Sequence, residues 1–316
     1  MRKWLGVCAL ALVAACTGDT APTSTTALAA ATTTAAPTTS APPVTTTSAA
    51  PVTTTTTVVL DLDRPHWTYG ALGDAHVHGA PNACGGCTSY PILVAEAIMT
   101  ELAIPVLLVD GTQPQPLTTG RLLDQVREDD WGEAAADVRT DRSPRDLIAA
   151  SDVITIGVGH DNLPWYQDED PCLLVYDQAC VDTVVEPLAE DLDAILAEID
   201  AIRGDQPTVV MVTTLWNDVI AGPGHTAWMY HRLVVAQGDS GVRHILQEVN
   251  DRICGIAGDH DAVCLDVATL FNGRHGSQPL GEGYLAEPYP ALNQAGQDAI
   301  ATAIMGQGFD DLPPPS

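Results

Sequence analysis

Five short runs of apolar, β-branched residues, at 69–72, 105–109, 153–158, 208–214 and 262–267, are separated by longer stretches whose apolar residues recur every three or four positions. Leu188, Leu192, Ile195, Leu196, Ile199 and Ile202 fall on one helical face, and similar periods run over 90–102, 242–256 and 294–304. A helix between successive strands is long enough to carry the chain back, so the strands pair parallel and the helices cover both faces. The pattern predicts an α/β domain with a doubly wound, five-stranded parallel sheet in three layers, α/β/α. Ligands of such sheets bind beyond the carboxyl ends of the strands, so the residues after each run are the candidate site.

The alternation is confined to residues 59–316. Before it, Met1-Arg2-Lys3 leads into an apolar run at 4–15 and then Cys16, the layout of a secretory signal. That run is too short for a membrane-spanning helix. Val13-Ala14-Ala15-Cys16 resembles the bacterial lipobox, which implies cleavage before Cys16, a diacylated thiol and an extracytoplasmic protein held to the membrane by its lipid. An ordinary signal cut nearby would leave Cys16 as a spare thiol.

Residues 16–58 are almost wholly Thr, Ala, Pro, Ser and Val, too poor in large apolar side chains to fold, and read as a linker. At ~3.1 Å per residue, roughly forty such residues reach on the order of 100 Å when stretched. The formal charge of the chain is -28 and its only lysine is Lys3, in the signal, which excludes a nucleic-acid partner. The domain is expected to be a monomer.

Of eight cysteines, six lie in the folded part and pair by proximity as Cys84–Cys87, Cys172–Cys180 and Cys254–Cys264, as suits an oxidising compartment. A thiolate metal site is the rival reading, but a single CxxC is weak evidence for zinc.

Several blocks beyond the strand ends are informative. Ala71-Leu72-Gly73-Asp74-Ala75 closes the first run and Cys84 to Ala95 follows it; Gly111 follows the second; Gly159-His160-Asp161-Asn162-Leu163 follows the third; Leu292-Asn293-Gln294-Ala295-Gly296 opens the last helix. In this order and spacing the blocks resemble the SGNH (GDSL) hydrolases, esterases and lipases on a flavodoxin-like sheet, over the whole domain. The resemblance implies a serine nucleophile at position 75, an oxyanion donor at Gly111 and another in the third block, and a catalytic His with an Asp three residues before it ahead of the last helix. This chain departs from that pattern. The nucleophile position is Ala75, the His position Ala291 and the Asp position Pro288, while the third-block Asn position reads Asp161, with Asn162 beside it. Losing any member of such a triad removes most of the rate. The pocket positions that remain are Asp74, Gly111, Gly159, Asp161 and Asn162.

Two readings follow. In the first, the domain is a pseudoenzyme that binds an acyl or glycan ligand and requires no cofactor. Trp165, Tyr166, Trp216, Trp228 and Tyr230, in loops after the third and fourth runs, would stack on a sugar or wall an acyl groove, or simply pack beneath those loops. In the second, the domain is a hydrolase. His76, His78 and His160, with Asp161, suit a divalent metal that activates water, since two His at a spacing of two point to one side of an extended segment; otherwise His76 and His78 are exposed polar residues on the first turn of a helix. His225 and His231 would approach the rim, and Thr88 or Ser89 would serve as a displaced nucleophile. Asp74-x-His76-x-His78 also resembles the first metal motif of the amidohydrolases, which are TIM barrels; their bridging lysine has no counterpart here, and the later blocks fit the SGNH pattern better.

Overall fold

The computed structural model describes residues 65–79, 86–163, 178–217, 239–274, 283–284 and 292–315, all within the compact unit Thr57–Ser316. The signal, Cys16 and the linker lie outside the described residues, as do Cys84, Trp165, Tyr166, Cys172, His225, Trp228, Tyr230, His231, Pro288 and Ala291.

Five strands, β1 (Trp67–Gly73), β2 (Val106–Thr112), β3 (Val153–Gly157), β4 (Val209–Thr213) and β5 (Val263–Leu265), form one sheet in the order β2-β1-β3-β4-β5. Every neighbouring pair is parallel. The helices are α1 (Ala75–His78), α2 (Tyr90–Glu101), α3 (Thr119–Glu128), α4 (Pro144–Ala150), α5 (Glu186–Arg203), α6 (Asp239–Asp259), α7 (Val267–Asn272) and α8 (Gln294–Gln307). A short turn at Gln178–Cys180 and a π-helical turn at Val181–Val185 lead into α5. Among the described residues no helix is long and apolar enough to cross a membrane.

Side chains on a strand alternate between faces, so a strand covered on both sides is apolar throughout. On one face Leu72, Ile154, Ile156 and Val212 pack with Leu122, Leu147, Leu192 and Ile253. On the other, Tyr69, Ala71, Val153 and Met211 pack with Val94, Ile98, Ile300 and Ile304. Within that second face one polar knot is closed: the hydroxyls of Tyr69 and Tyr90 lie 2.9 and 3.1 Å from Thr155 Oγ1, and burial drives both phenols well above their ordinary pKa.

Strand β2 runs three residues beyond the predicted 105–109, because Asp110, Gly111 and Thr112 continue in register opposite Ala71, Leu72 and Gly73. Its polar end is buried against Arg139, whose guanidinium lies 3.1 Å from Asp110 and whose backbone N–H donates to the Asp110 carbonyl. Cys254 and Cys264 are joined, tying α6 to β5. Cys87 and Cys180 are each disulfide-bonded as well.

Candidate functional site

At the end of β1 the chain is fixed from both sides. The Gln113 N–H donates to the Gly73 carbonyl at 2.9 Å, and the Asp74 N–H donates to the Gly157 carbonyl at 3.0 Å. Asp74 is then the N-cap of α1: its Oδ1 accepts from the His76 N–H at 3.0 Å, and Gly79, with φ 66°, ends the turn in the left-handed region. Gly73 and Gly157 are register partners, and both abut Val77, which lets the turn sit directly on the sheet edge.

Beyond β3, Gly159 has φ 129°, a conformation open to glycine, and turns the chain into the 3-10 turn His160–Asn162. That turn carries His160 over α1. The rings of His76 and His160 stack, with centroids 4.4 Å apart and planes 20° apart. Trp216, after β4, lies against the far side of the pair, its ring 4.1 Å from His160 and edge-on to His76 at 6.0 Å. Trp216 is held by its neighbours: Asn250 bonds both the N–H and the carbonyl of Leu215, and Asn272 does the same for Asn217.

The cluster is buried, with Asp74 and Trp216 at 0% exposure and His160 at 3%, and it opens outward along His76, whose side chain is 11% exposed. Among the described residues Asp74 Oδ2, His160 Nε2 and Trp216 Nε1 have no hydrogen-bond partner. Burial drives His160 down to a pKa of about 3, helped by His76 and opposed by Asp74 and by a bond to the Trp216 backbone, so its ring is neutral at pH 7. For Asp74 burial favours the protonated acid, but the charge and hydrogen bond of His76, with His160 behind, hold its carboxyl below the ordinary value. One carboxylate and two imidazoles here offer ligand atoms all within 4.8 Å of one another.

The structure separates other residues that the sequence grouped together. His78 does not join His76. The segment after Asp74 is helical, so residues two apart diverge by about 200° rather than sharing a side as they would in a strand. His78 instead turns toward β2 and is buried, its Nδ1 at 3.1 Å from the Thr112 carbonyl and 2.9 Å from Thr112 Oγ1, which in turn donates to Asp110. Burial, reinforced by Arg139, lowers its pKa.

Asp161 is drawn away from the metal set and from an oxyanion role, because its Oδ2 accepts from the Leu117 N–H at 2.8 Å. Asn162 is likewise committed, accepting from the Thr119 N–H and donating to the Thr119 hydroxyl, both at 2.9 Å. These two residues pin the start of α3. Gly111 lies inside β2 opposite Leu72, where an added Cβ would meet Trp131 and Leu147, and not beyond the strand end. Ser89 Oγ is buried and accepts from Arg139, so it is a structural hydroxyl and not a displaced nucleophile. Thr88 is bonded through its backbone to Gln294. Trp216 is wholly buried beneath the histidines and offers no face to a sugar ring. The sequence places both Asp74 and His160 in the pocket but assigns Asp161, not Asp74, as the carboxylate of the metal set.

No family model and no curated protein matches the chain. Among solved structures it is similar to the lipase Lip_vut3 from a goat rumen metagenome, at 18% identity and TM-score 0.56 over 77% of this chain and 98% of that one. It is also similar to Axe2, an acetylxylan esterase from Geobacillus stearothermophilus, at 15% identity and TM-score 0.51 over 79% and 97% of the two chains. With the sheet order above, the likeness defines the class: the domain has the fold of the SGNH-type esterases.

Proposed function

We propose that the chain is a lipid-anchored, extracytoplasmic binding protein, in which an SGNH-type domain holds an acyl or glycan ligand at the carboxyl end of its sheet without cleaving it. The observation that carries this reading is Ala75. It stands first in α1, directly after the capping Asp74, at the position where the resemblance puts the nucleophile, and its side chain is a methyl group. The sequence positions of the triad's acid and base, Pro288 and Ala291, supply neither a carboxylate nor an imidazole. Acyl transfer through a covalent intermediate needs an activated oxygen or sulfur at that point. The signal-like run at 4–15 and the lipobox-like Val13-Ala14-Ala15-Cys16 support anchoring through Cys16, with display outside the cell on the Thr/Ala/Pro linker.

The test is turnover of p-nitrophenyl acetate and butyrate by the purified full chain, with and without EDTA, alongside calorimetric titration with acetylated xylooligosaccharides and with a short-chain fatty acid. Expected are rates at the buffer level and saturable binding of one of the two probe classes. Turnover untouched by EDTA would mean a nucleophile outside the assigned register and would overturn the reading, as would turnover that EDTA abolishes. Fractionation after Cys16→Ser tests the anchor: the variant should leave the membrane fraction.

A further inference from the structure

We propose that Asp74, His76 and His160 form a binding site for a divalent transition-metal ion of the zinc type. Three observations carry this. First, the donor set is right: two imidazoles and a carboxylate are what zinc and its neighbours select, and protein sites of three ligands leave a position for water or a ligand. The three donor atoms lie within 4.8 Å of one another, with His76 Nδ1 3.5 Å from Asp74 Oδ1. Ligands at the usual ~2.0–2.2 Å from one tetrahedral zinc sit roughly 3.5 Å apart, close to the spacing of these donors, and binding would turn the stacked rings out of their near-parallel planes to aim both at one ion.

Second, polar atoms of this cluster are buried and turned inward. Asp74 Oδ2 and His160 Nε2 have no hydrogen-bond partner among the described residues, on side chains 0% and 3% exposed. Orphaned buried polar atoms are rare in folded proteins and mark unfilled roles. His160 is also hydrogen-bonded to the Trp216 backbone, and an outer partner of this kind commonly orients a metal-bound imidazole.

Third, the charge calls for a cation. A carboxylate removed from water is costly unless it is paired. Asp74 has an ion-pair partner in His76, whose Nδ1 lies 3.5 Å from its Oδ1, but that ring balances the carboxylate only when it is protonated. A divalent ion would balance Asp74 while leaving both rings neutral, and His76, the most exposed of the three, gives it a way in.

The site is independent of the ligand-binding reading, since an ion can be held whether or not an ester is cleaved. The test is calorimetric titration of the EDTA-stripped full chain with Zn²⁺, and titration with Co²⁺ followed by visible absorption. Expected is one saturable site, with Co²⁺ bands of nitrogen and oxygen ligation, and a melting temperature raised by zinc. Losing even an outer partner of a ligand costs about 10–100-fold, so His76→Gln and Asp74→Asn, which remove ligands, should each weaken binding by at least about 10-fold, and zinc should no longer raise their melting temperature. His76→Gln is the safer variant for folding because that side chain reaches the surface. A chain that binds no zinc saturably below about 100 μM would overturn the proposal. So would binding that both variants leave within about threefold of the parent, which would place the ion on the acidic surface instead.

Discussion

Substituting Gly157 by alanine tests how closely the site turn is seated on the sheet. A Cβ at position 157 would stand 2.7 and 3.2 Å from the two methyls of Val77 and 3.4 Å from Thr213 Oγ1, with no backbone atom among its near neighbours. The clash is therefore with one buried, β-branched side chain that has little rotamer freedom. Overpacking of this kind costs about 1–3 kcal/mol. Val77→Ala removes both offending methyls from a side chain 1% exposed, costing about 2 kcal/mol as a single change. If the two sites were independent, the double variant would lose about 3–5 kcal/mol. Because the methyl added at position 157 enters the space that Val77 leaves, the double variant should instead recover at least about 1 kcal/mol of that sum. The assay is urea unfolding of the four proteins of the cycle, compared at constant m-value. The single Gly157→Ala variant should also lift α1 and separate His76 from His160, which histidine ring resonances in NMR spectra would report. Additive losses would refute the reasoning, since they would mean that Val77 does not press on β3 in solution.

Thr155→Val should cost about 2–4 kcal/mol in the same unfolding assay, because it strands the buried hydroxyls of both Tyr69 and Tyr90, whereas Thr155→Ser should cost much less. His260 should make stability pH-dependent. Burial works against its charge, but Asp200 at 2.6 Å and Asp193 at 3.1 Å outweigh that and raise its pKa above 6.5. The contribution is thus fully present below the unfolded value of 6.5 and is lost as pH rises through the higher folded value. Both aspartates are more than half exposed, so the effect is small and sensitive to salt, and melting curves of the parent and His260→Gln should converge at alkaline pH.

The sheet was legible because its strands are covered on both faces: the residues of β1, β3 and β4 are almost continuously apolar, and that composition has few other uses. The end of β2 was not, since Asp110 and Gly111 are poor strand formers and the strand end is held by Arg139, a partner 29 residues away from Asp110. Helices α1 and α7 are too short to show a period. Helices α3 and α4 carried signals that went unread, a capping Thr118 and the Ser143-Pro144 start with Asp146 in the first turn. For the site, residue types pointed to the right strand ends, but the metal reading joined His76 to His78 through an extended backbone after Asp74, and the helical alternative left both histidines exposed, whereas His78 is buried. The cap on His76 makes that backbone helical, and a helical turn sends the two rings to opposite sides.

That divergence leaves two polar clusters on either side of α1, and their difference is informative. On the β2 side, His78, Thr112, Asp110, Arg139 and Ser89 form a chain in which each side chain meets the next at 2.6–3.1 Å. Such a closed network is accounted for by structure alone: it buries an aspartate with its arginine and joins β2 to the start of α2. On the β3 side, Asp74, His160 and Trp216 are at least as deeply buried, yet each keeps a polar atom with no partner among the described residues. Leaving each such atom unmet costs about 1–3 kcal/mol, a large share of a domain's stability. A fold that could have filled this space with apolar side chains instead carries that cost next to the methyl group of Ala75. The cost has a physical rationale if the cluster's missing partner comes from outside the chain, and the zinc titration and the Gly157 cycle separate the two components of that argument, the ion and the seating of the turn that would hold it.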